Sequence, residues 1–404
     1  MSFFHVTTPS PPATGSFEGH NRGFHSPESV RKRGQPVDFE IRVNDRPVPH
    51  REREAILAEP GFGRTFTDHM ITARWDEGLG WHDGRLEPYG PISLDPSASV
   101  FHYGQECFEG MKAYRQDGGG VALFRPRVNA ARLNRSAERL AMPAIPEATF
   151  LKALELLVTQ DADWVPSGAG ESLYLRPLMI ATQHELGFTL PSRSYLFVVF
   201  ASPATAYFGP GERLRPLTVW LSEDYTRAAP GGTGAAKAGG NYAAAFAAQR
   251  QGVAEGCDQV VWLDAAEHTW VEEMGGMNIF FVLDEGGGSR PRIVTPPLTD
   301  TLLPGVTRDS LLRLAPELGL DTEERPMSVP QWQELCASGR MTEAFACGTA
   351  AVIAPIGRVK GAGGKGWTVG DGEPGPVTRR LREELLGIQY GRLPDPHAWV
   401  HKVC

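Results

Sequence analysis

Amines able to attack an aldehyde are few in this chain. Of its 40 basic residues only seven are lysine (Lys32, Lys112, Lys152, Lys237, Lys360, Lys365 and Lys402), and the rest are arginine. Lys237 stands apart, in the segment PGGTGAAKAGGNY over 230–242, which runs into an Ala-rich stretch. Glycines on both sides let the backbone approach a ligand closely and leave the amine on a tightly turned, open element. A nucleotide phosphate loop requires Gly before the lysine and Ser or Thr after it, whereas Ala236 and Ala238 flank Lys237. The competing reading is an ordinary surface lysine in a loop, so partners elsewhere must decide. A lysine used as a nucleophile must also shed its proton part of the time, which burial or a nearby cation arranges.

Chemistry on a pyridoxal phosphate ring would demand three partners: a helix start and a cation for the phosphate, and an acid for the ring nitrogen. The segment LPGVTR over 303–308 opens a helix, so the N–H groups of Val306 and Thr307 are candidate anion donors, with the Thr307 hydroxyl beside them. Arg132 is a candidate cation, with Arg127, Arg135 and Arg139 competing on spacing alone. The acid is sought in VEEMGGM over 271–277, where successive strand residues face opposite sides. One of Glu272 and Glu273 is expected to face a buried ring and the other solvent, and periodicity does not choose between them. Tyr103 and Phe108, in FHYGQECFEGMKAYR, are candidates for an apolar pocket or for core. Tyr174 and Arg176 stand two apart and share one strand face, where a guanidinium and a phenol can meet a carboxylate. The CGTA segment over 347–350 adds small residues whose N–H groups can bind an anion.

These residues need elements to hold them. Strand-like apolar runs cover 173–180, 194–201, 217–221, 259–263 and 277–283. Helical periodicity covers 128–140, 150–161, 241–253, 306–318 and 377–388, and the mixture implies an α/β or α+β fold. SPATAYFGPGER over 202–213 breaks both periods between halves of similar size and is expected to be the inter-domain linker. The division is therefore a tail over 1–36, a domain over 37–202, a linker over 203–212 and a domain over 213–404. GAGGKG over 361–366 reads as a hairpin or surface loop without chemistry.

Composition excludes several classes. With 404 residues, 41% hydrophobic and a formal charge of −8, the chain is long enough for two or three domains with real cores and too acidic to coat nucleic acid. Its apolar runs are too short to span a membrane as a helix. The tail lacks an apolar signal region, so a cytoplasmic location is expected. Five cysteines without a CxxC pair argue against a disulfide framework or a zinc site, and no metal is expected.

Taken in order, FTDHM (66–70), HYGQECFEGMKAYR (102–115), LFRPRVNAARL (123–133), LYLRP (173–177), GTGAAKAGGNY (232–242), EEMGGMNIFFV (272–282), LLPGVTR (302–308), CGTAAVIAPI (347–356) and LLGIQYG (385–391) resemble the branched-chain amino acid aminotransferases, of the fold-type IV pyridoxal-phosphate enzymes. The resemblance covers about 62–391. It implies a two-domain α/β (α+β) fold, with a smaller N-terminal α/β domain and a larger C-terminal domain with a barrel-like β core. It implies that Lys237 is the Schiff-base lysine and general acid/base, that Arg132, Val306 and Thr307 hold the phosphate, that Glu273 sits at the ring nitrogen and that Tyr242 bonds the phenolic oxygen. Tyr103, Arg176, Thr349 and Ala350 are implied at the substrate carboxylate, with Phe62, Phe108 and Tyr174 shaping the pocket. It further implies a homodimer whose partner subunit supplies part of the pocket around 186–188 and Tyr103. Two departures stand out. Ala351 and Ala354 replace the CxxC of redox-switched members, and Gly276 stands where some relatives carry a hydroxyl residue.

The activity implied is transfer of the amino group of leucine, isoleucine or valine to 2-oxoglutarate. D-amino acid aminotransferase and aminodeoxychorismate lyase share the lysine and phosphate site and are the alternatives within the fold. A non-catalytic pyridoxal-phosphate-binding protein is the alternative of a different class.

Overall fold

The computed structural model describes residues 36–187, 189–205, 214–284 and 286–404. Most of the expected tail and linker, and Phe188, therefore lie outside the described residues.

Among the described residues, two nine-stranded sheets organise the fold. At the centre of the first, Ser194–Ala204 pairs antiparallel with both His69–Asp76 and Ser172–Ala181. Pairing continues to Gly80–Pro88 and Phe39–Ile41 on one side and to Met111–Arg115 and Val121–Phe124 on the other. The central strand runs past 201 because Pro203 and Ala204 find register partners in Leu173 and Ser172, so the expected linker begins inside it. Helices Pro126–Arg139 and Glu147–Gln160 cover one face of this sheet. The second helix turns Phe150, Leu154, Leu157 and Val158 inward at i, i+4, i+7 and i+8, where they join Ile71, Phe197 and Val199 in one core. The other helix starts on a proline at its first position. It buries a partly polar stripe that includes Asn129, Arg132 and Ser136.

In the second sheet, six strands close on themselves in chain order: Leu217–Ser222, Gln259–Leu263, Val271–Met274, Met277–Leu283, Met341–Gly348 and Val352–Lys360, which pairs back to the first. Closure removes the unpaired edges that an open sheet would carry. MNIFFVL is apolar at nearly every position because both faces of its strand are buried. Ile279 and Phe281 enter the core with Trp332 of helix Val329–Ala337, whereas Phe280 and Val282 pack with helices Val306–Glu317 and Pro376–Gln389. This closed ring is the barrel-like core that the resemblance implied.

The 241–253 periodicity resolves into two helices, Gly239–Ala243 and Phe246–Ala254. The Gly-rich 361–366 segment turns between antiparallel Val352–Lys360 and Gly366–Thr368. The chain end returns to the first sheet, where Val400–Lys402 pairs with Val121–Phe124. Among the described residues, no helix is long and apolar enough to cross a membrane.

Candidate active site

Residues from both sheets line a cavity of about 540 Å³. Register explains the contribution of the first sheet. Glu106–Phe108 pairs with Ser172–Ala181 so that Phe108 lies opposite Leu178 and Glu106 opposite Ile180, on the sheet face that also carries Tyr174 and Arg176. Cys107, of opposite parity, is buried in the helix-covered core. Phe62 meets Tyr174 edge-on, with ring centroids 5.2 Å apart. The Arg176 guanidinium lies 4.8 Å over the Phe108 ring and donates to Tyr174 Oη at 3.2 Å, while its buried Nε has no hydrogen-bond partner.

The backbone of Lys237 is clamped from two sides. Its N–H donates to Ser136 Oγ at 2.9 Å, and its carbonyl accepts the Phe108 N–H at 3.0 Å. Ser136 lies one turn beyond Arg132 on its helix, so a single helical face holds the loop and presents a guanidinium. The Gly-rich sequence is needed where the loop packs tightest, since a Cβ at Gly234 would stand 2.4 Å from the Thr301 carbonyl oxygen. The Lys237 side chain enters the cavity and donates from Nζ to Tyr242 Oη at 3.0 Å.

Among the competing arginines, Arg132 is the one that lines the cavity. Buried Glu109 holds it through two bonds of 2.8 Å, to Nε and to NH2. Arg127 instead pairs with Glu147 at the surface, Arg139 donates to the carbonyls of Gly231 and Gly232, and Arg135 is exposed. Val306 and Thr307 line the same cavity at the first turn of Val306–Glu317, where helix geometry leaves their N–H groups without an intrahelical acceptor. The preceding Gly305 admits Asn278, whose Oδ1 would lie 2.0 Å from a Cβ there.

The expectation for the Glu pair is half corrected. Glu273 lines the cavity, but Glu272 does not face solvent: it is 8% exposed and accepts the Thr301 hydroxyl at 2.5 Å. The strand Val271–Met274 is buried at every position, so opposite faces do not mean one wet and one dry. Glu273 accepts the Leu303 N–H at 2.6 Å and the Asn278 amide at 3.3 Å, and it pairs with Arg227 at 3.1 Å. Burial pushes its carboxyl up, against the opposing pull of Arg227, the Leu303 N–H and the Lys237 amine.

Residues 347–351 form a further wall, including Thr349 and Ala350. Gly276 has room for a side chain, since a Cβ there would sit 3.5 Å from the Tyr242 ring in ordinary contact. Tyr103 is not brought into this cavity; it is 41% exposed, and its hydroxyl donates to the Leu186 carbonyl.

Reading the sequence alone missed Arg227, Glu109, Ser136 and Asn278. The last was readable: Gly275 and Gly276 form a two-residue turn between Val271–Met274 and Met277–Leu283, which sets Asn278 opposite Glu273. For the other three no spacing rule applies, because their partners are 46, 23 and 101 residues away.

The amino-transferase class IV family model matches residues 106–359. A probable branched-chain-amino-acid aminotransferase of Streptomyces coelicolor is 56% identical over 367 residues, covering 91% of this chain and 99% of that protein. The solved branched-chain amino acid aminotransferase of Escherichia coli superposes with a TM-score of 0.67 at 28% identity, covering 82% of this chain and 99% of the other. The solved T.th. branched-chain amino acid aminotransferase with pyridoxamine 5'-phosphate gives a TM-score of 0.66 at 28% identity, covering 82% and 98%. With the family model matching more than half of its length and a relative of this identity spanning nearly all of it, the chain belongs to the class IV aminotransferases.

Proposed function

We propose that this chain is a branched-chain amino acid aminotransferase that uses pyridoxal 5'-phosphate, passing the amino group of L-leucine, L-isoleucine or L-valine to 2-oxoglutarate and releasing the branched 2-oxo acid and L-glutamate. One observation carries the reading. A lysine amine, a buried carboxylate held by Arg227 and a helix start beside a buried arginine line a single cavity.

That donor set fits the cofactor. Arg132 and the N–H groups of Val306 and Thr307 would hold its phosphate, Glu273 its ring nitrogen and Tyr242 its phenolic oxygen. When bound, it supplies an aldehyde for amine exchange and a ring that accepts electron density from the substrate's Cα. The protein supplies the rest. Lys237 Nζ takes the proton from the amino acid's Cα, and the Glu273 carboxylate, paired with Arg227, holds a proton at the ring nitrogen by accepting its hydrogen bond. The apolar rings of Phe62, Phe108 and Tyr174 receive the aliphatic side chain and exclude water from it. Arg176, with a buried Nε that has no protein acceptor, meets a substrate carboxylate, either the side-chain carboxylate of glutamate or the α-carboxylate. Thr349 and Ala350 add N–H donors for the α-carboxylate.

The active form is a cytoplasmic homodimer in which Tyr103 and residues near 186 complete the partner's pocket. The exposed apolar residues Phe101, Tyr103, Leu186 and Leu190 support the dimer. The five free cysteines are in keeping with a reducing compartment.

The test is a substrate panel with 2-oxoglutarate as acceptor. L-leucine, L-isoleucine and L-valine should turn over and D-alanine should not; activity on D-alanine alone would assign the chain to the D-amino acid aminotransferases instead. A colourless protein that borohydride does not label at Lys237 would leave only a scaffold without the chemistry.

A further inference from the structure

The buried amine of Lys112 takes no part in the chemistry above, yet it makes a bond between the two sheets. It belongs to Met111–Arg115, directly opposite Tyr174 in register, and so projects from the sheet face that bears Tyr174 and Arg176. Its Nζ donates at 2.9 Å to the carbonyl oxygen of Ala350, 238 residues away, in the 348–351 turn that forms part of the cavity wall. The side chain is 3% exposed and sits in a narrow crevice between the two sheets, lined also by Tyr114, Asn129, Thr307, Thr349 and Gln389. Arg382 is the charged group acting on it, and no carboxylate lines the crevice among the described residues. A lysine without a counter-ion at such a position is an expensive way to fill space.

Two features of the turn say what the bond does. Val352, at its end, has φ of +61°, a left-handed conformation that β-branched residues rarely adopt, so the turn is strained and needs an external hold. The 350–351 peptide, like every other described peptide, is not cis. In a trans peptide the C=O and the following N–H point in opposite directions. Fixing the Ala350 carbonyl on Lys112, behind the wall, therefore turns the Ala351 N–H toward the cavity, which Ala351 lines.

We infer that Lys112 is a positioning residue for substrate-carboxylate recognition: through the Ala350 carbonyl it anchors the 348–351 turn and aims the Ala351 N–H, next to the Thr349 and Ala350 donors, at the carboxylate shared by amino-acid and 2-oxo-acid substrates. Both the ammonium and the free amine can donate this bond, so the hold operates in either protonation state. The inference rests on the proposed aminotransferase reading for the identity of the ligand.

The test compares Lys112→Met, which keeps the apolar stem and removes the donor, with Lys112→Arg and Lys112→Gln, which retain donors. Each holoenzyme is measured for kcat and KM with L-leucine and 2-oxoglutarate, for cofactor content by absorbance, and for the Kd of 4-methylpentanoate, a leucine-shaped carboxylate without the amine. In Lys112→Met, KM for both substrates and Kd for the acid should rise about tenfold, with kcat within about threefold of wild type and cofactor retained. Lys112→Arg should restore most of the binding. A Lys112→Met enzyme that binds 4-methylpentanoate as wild type does overturns the inference, as does one whose loss lies in kcat alone. If Lys112→Met does not fold, Lys112→Gln decides: wild-type Kd and KM support the donor role, and weakened binding with an intact fold refutes it. Wild-type protein that fails to transaminate L-leucine refutes the proposed function instead, a separate result.

Discussion

Removing the Arg132 guanidinium should injure the protein in two separable ways. Arg132 and Glu109 form a buried ion pair with side chains 5% and 0% exposed. Substituting Arg132→Met leaves the Glu109 carboxylate buried, with the neighbouring Gly110 N–H as its remaining donor at 3.2 Å. Breaking a buried pair from one side costs about 3–5 kcal/mol. In a domain of roughly 150–250 residues each kcal/mol moves Tm by roughly 2–4 °C, so a fall of about 6–20 °C is expected for the domain that holds the pair. Arg132→Met/Glu109→Gln removes the stranded charge and should recover most of that loss. Cofactor affinity should behave differently. A charge-assisted hydrogen bond to phosphate contributes about 1.5–3 kcal/mol, so both Arg132→Met variants should bind pyridoxal phosphate roughly 10- to 150-fold more weakly. Glu109→Gln alone should bind it as tightly as wild type or tighter, because the guanidinium loses a competing acceptor. The assay is a three-variant cycle in which each protein is titrated with pyridoxal phosphate and melted with and without it. A double variant with wild-type cofactor affinity would refute the phosphate role and leave Arg132 a purely structural residue.

Lys237→Ala should lower turnover by about 10²- to 10⁴-fold or more through loss of the general acid/base; borohydride labelling that persists at another lysine would redirect the assignment. Gly110→Ala should raise KM for 2-oxoglutarate by about tenfold, because a Cβ there would lie 2.0 Å from Tyr174 Oη and push the phenol off Arg176; unchanged kinetics would separate Tyr174 from the carboxylate site. Burial, with Arg382 adding to it, brings the Lys112 amine down from 10.5 to about 7. Between pH 7 and 10.5 the unfolded chain then binds more protons than the folded one, so this residue's destabilising contribution is full below pH 7 and disappears as pH rises to 10.5. Relative to wild type, Lys112→Met should thus melt higher at pH 6 than at pH 10, and a Tm difference independent of pH would contradict the buried charge. Ser136→Ala should cost about 1–3 kcal/mol by orphaning the Lys237 N–H; a thermal melt of the cofactor-free protein checks this.

What sequence alone determined about this protein was local chemistry. The glycine-flanked Lys237, the helix opened at Val306 and the strand MNIFFVL were legible because each depends on backbone freedom, capping geometry or side-chain periodicity within a few residues. The ordered motifs also carried the family, and with it the choice of Glu273 over Glu272. Tertiary structure decided what those groups touch. Arg132 is distinguished from Arg127, Arg135 and Arg139 by Glu109, a partner in the loop after Glu106–Phe108; Glu272 is kept dry by Thr301; and Lys112 reaches Ala350 across 238 residues. Such pairings are set by how elements far apart in sequence pack together, and a one-dimensional period encodes which face a residue takes, never which distant residue waits on the other side.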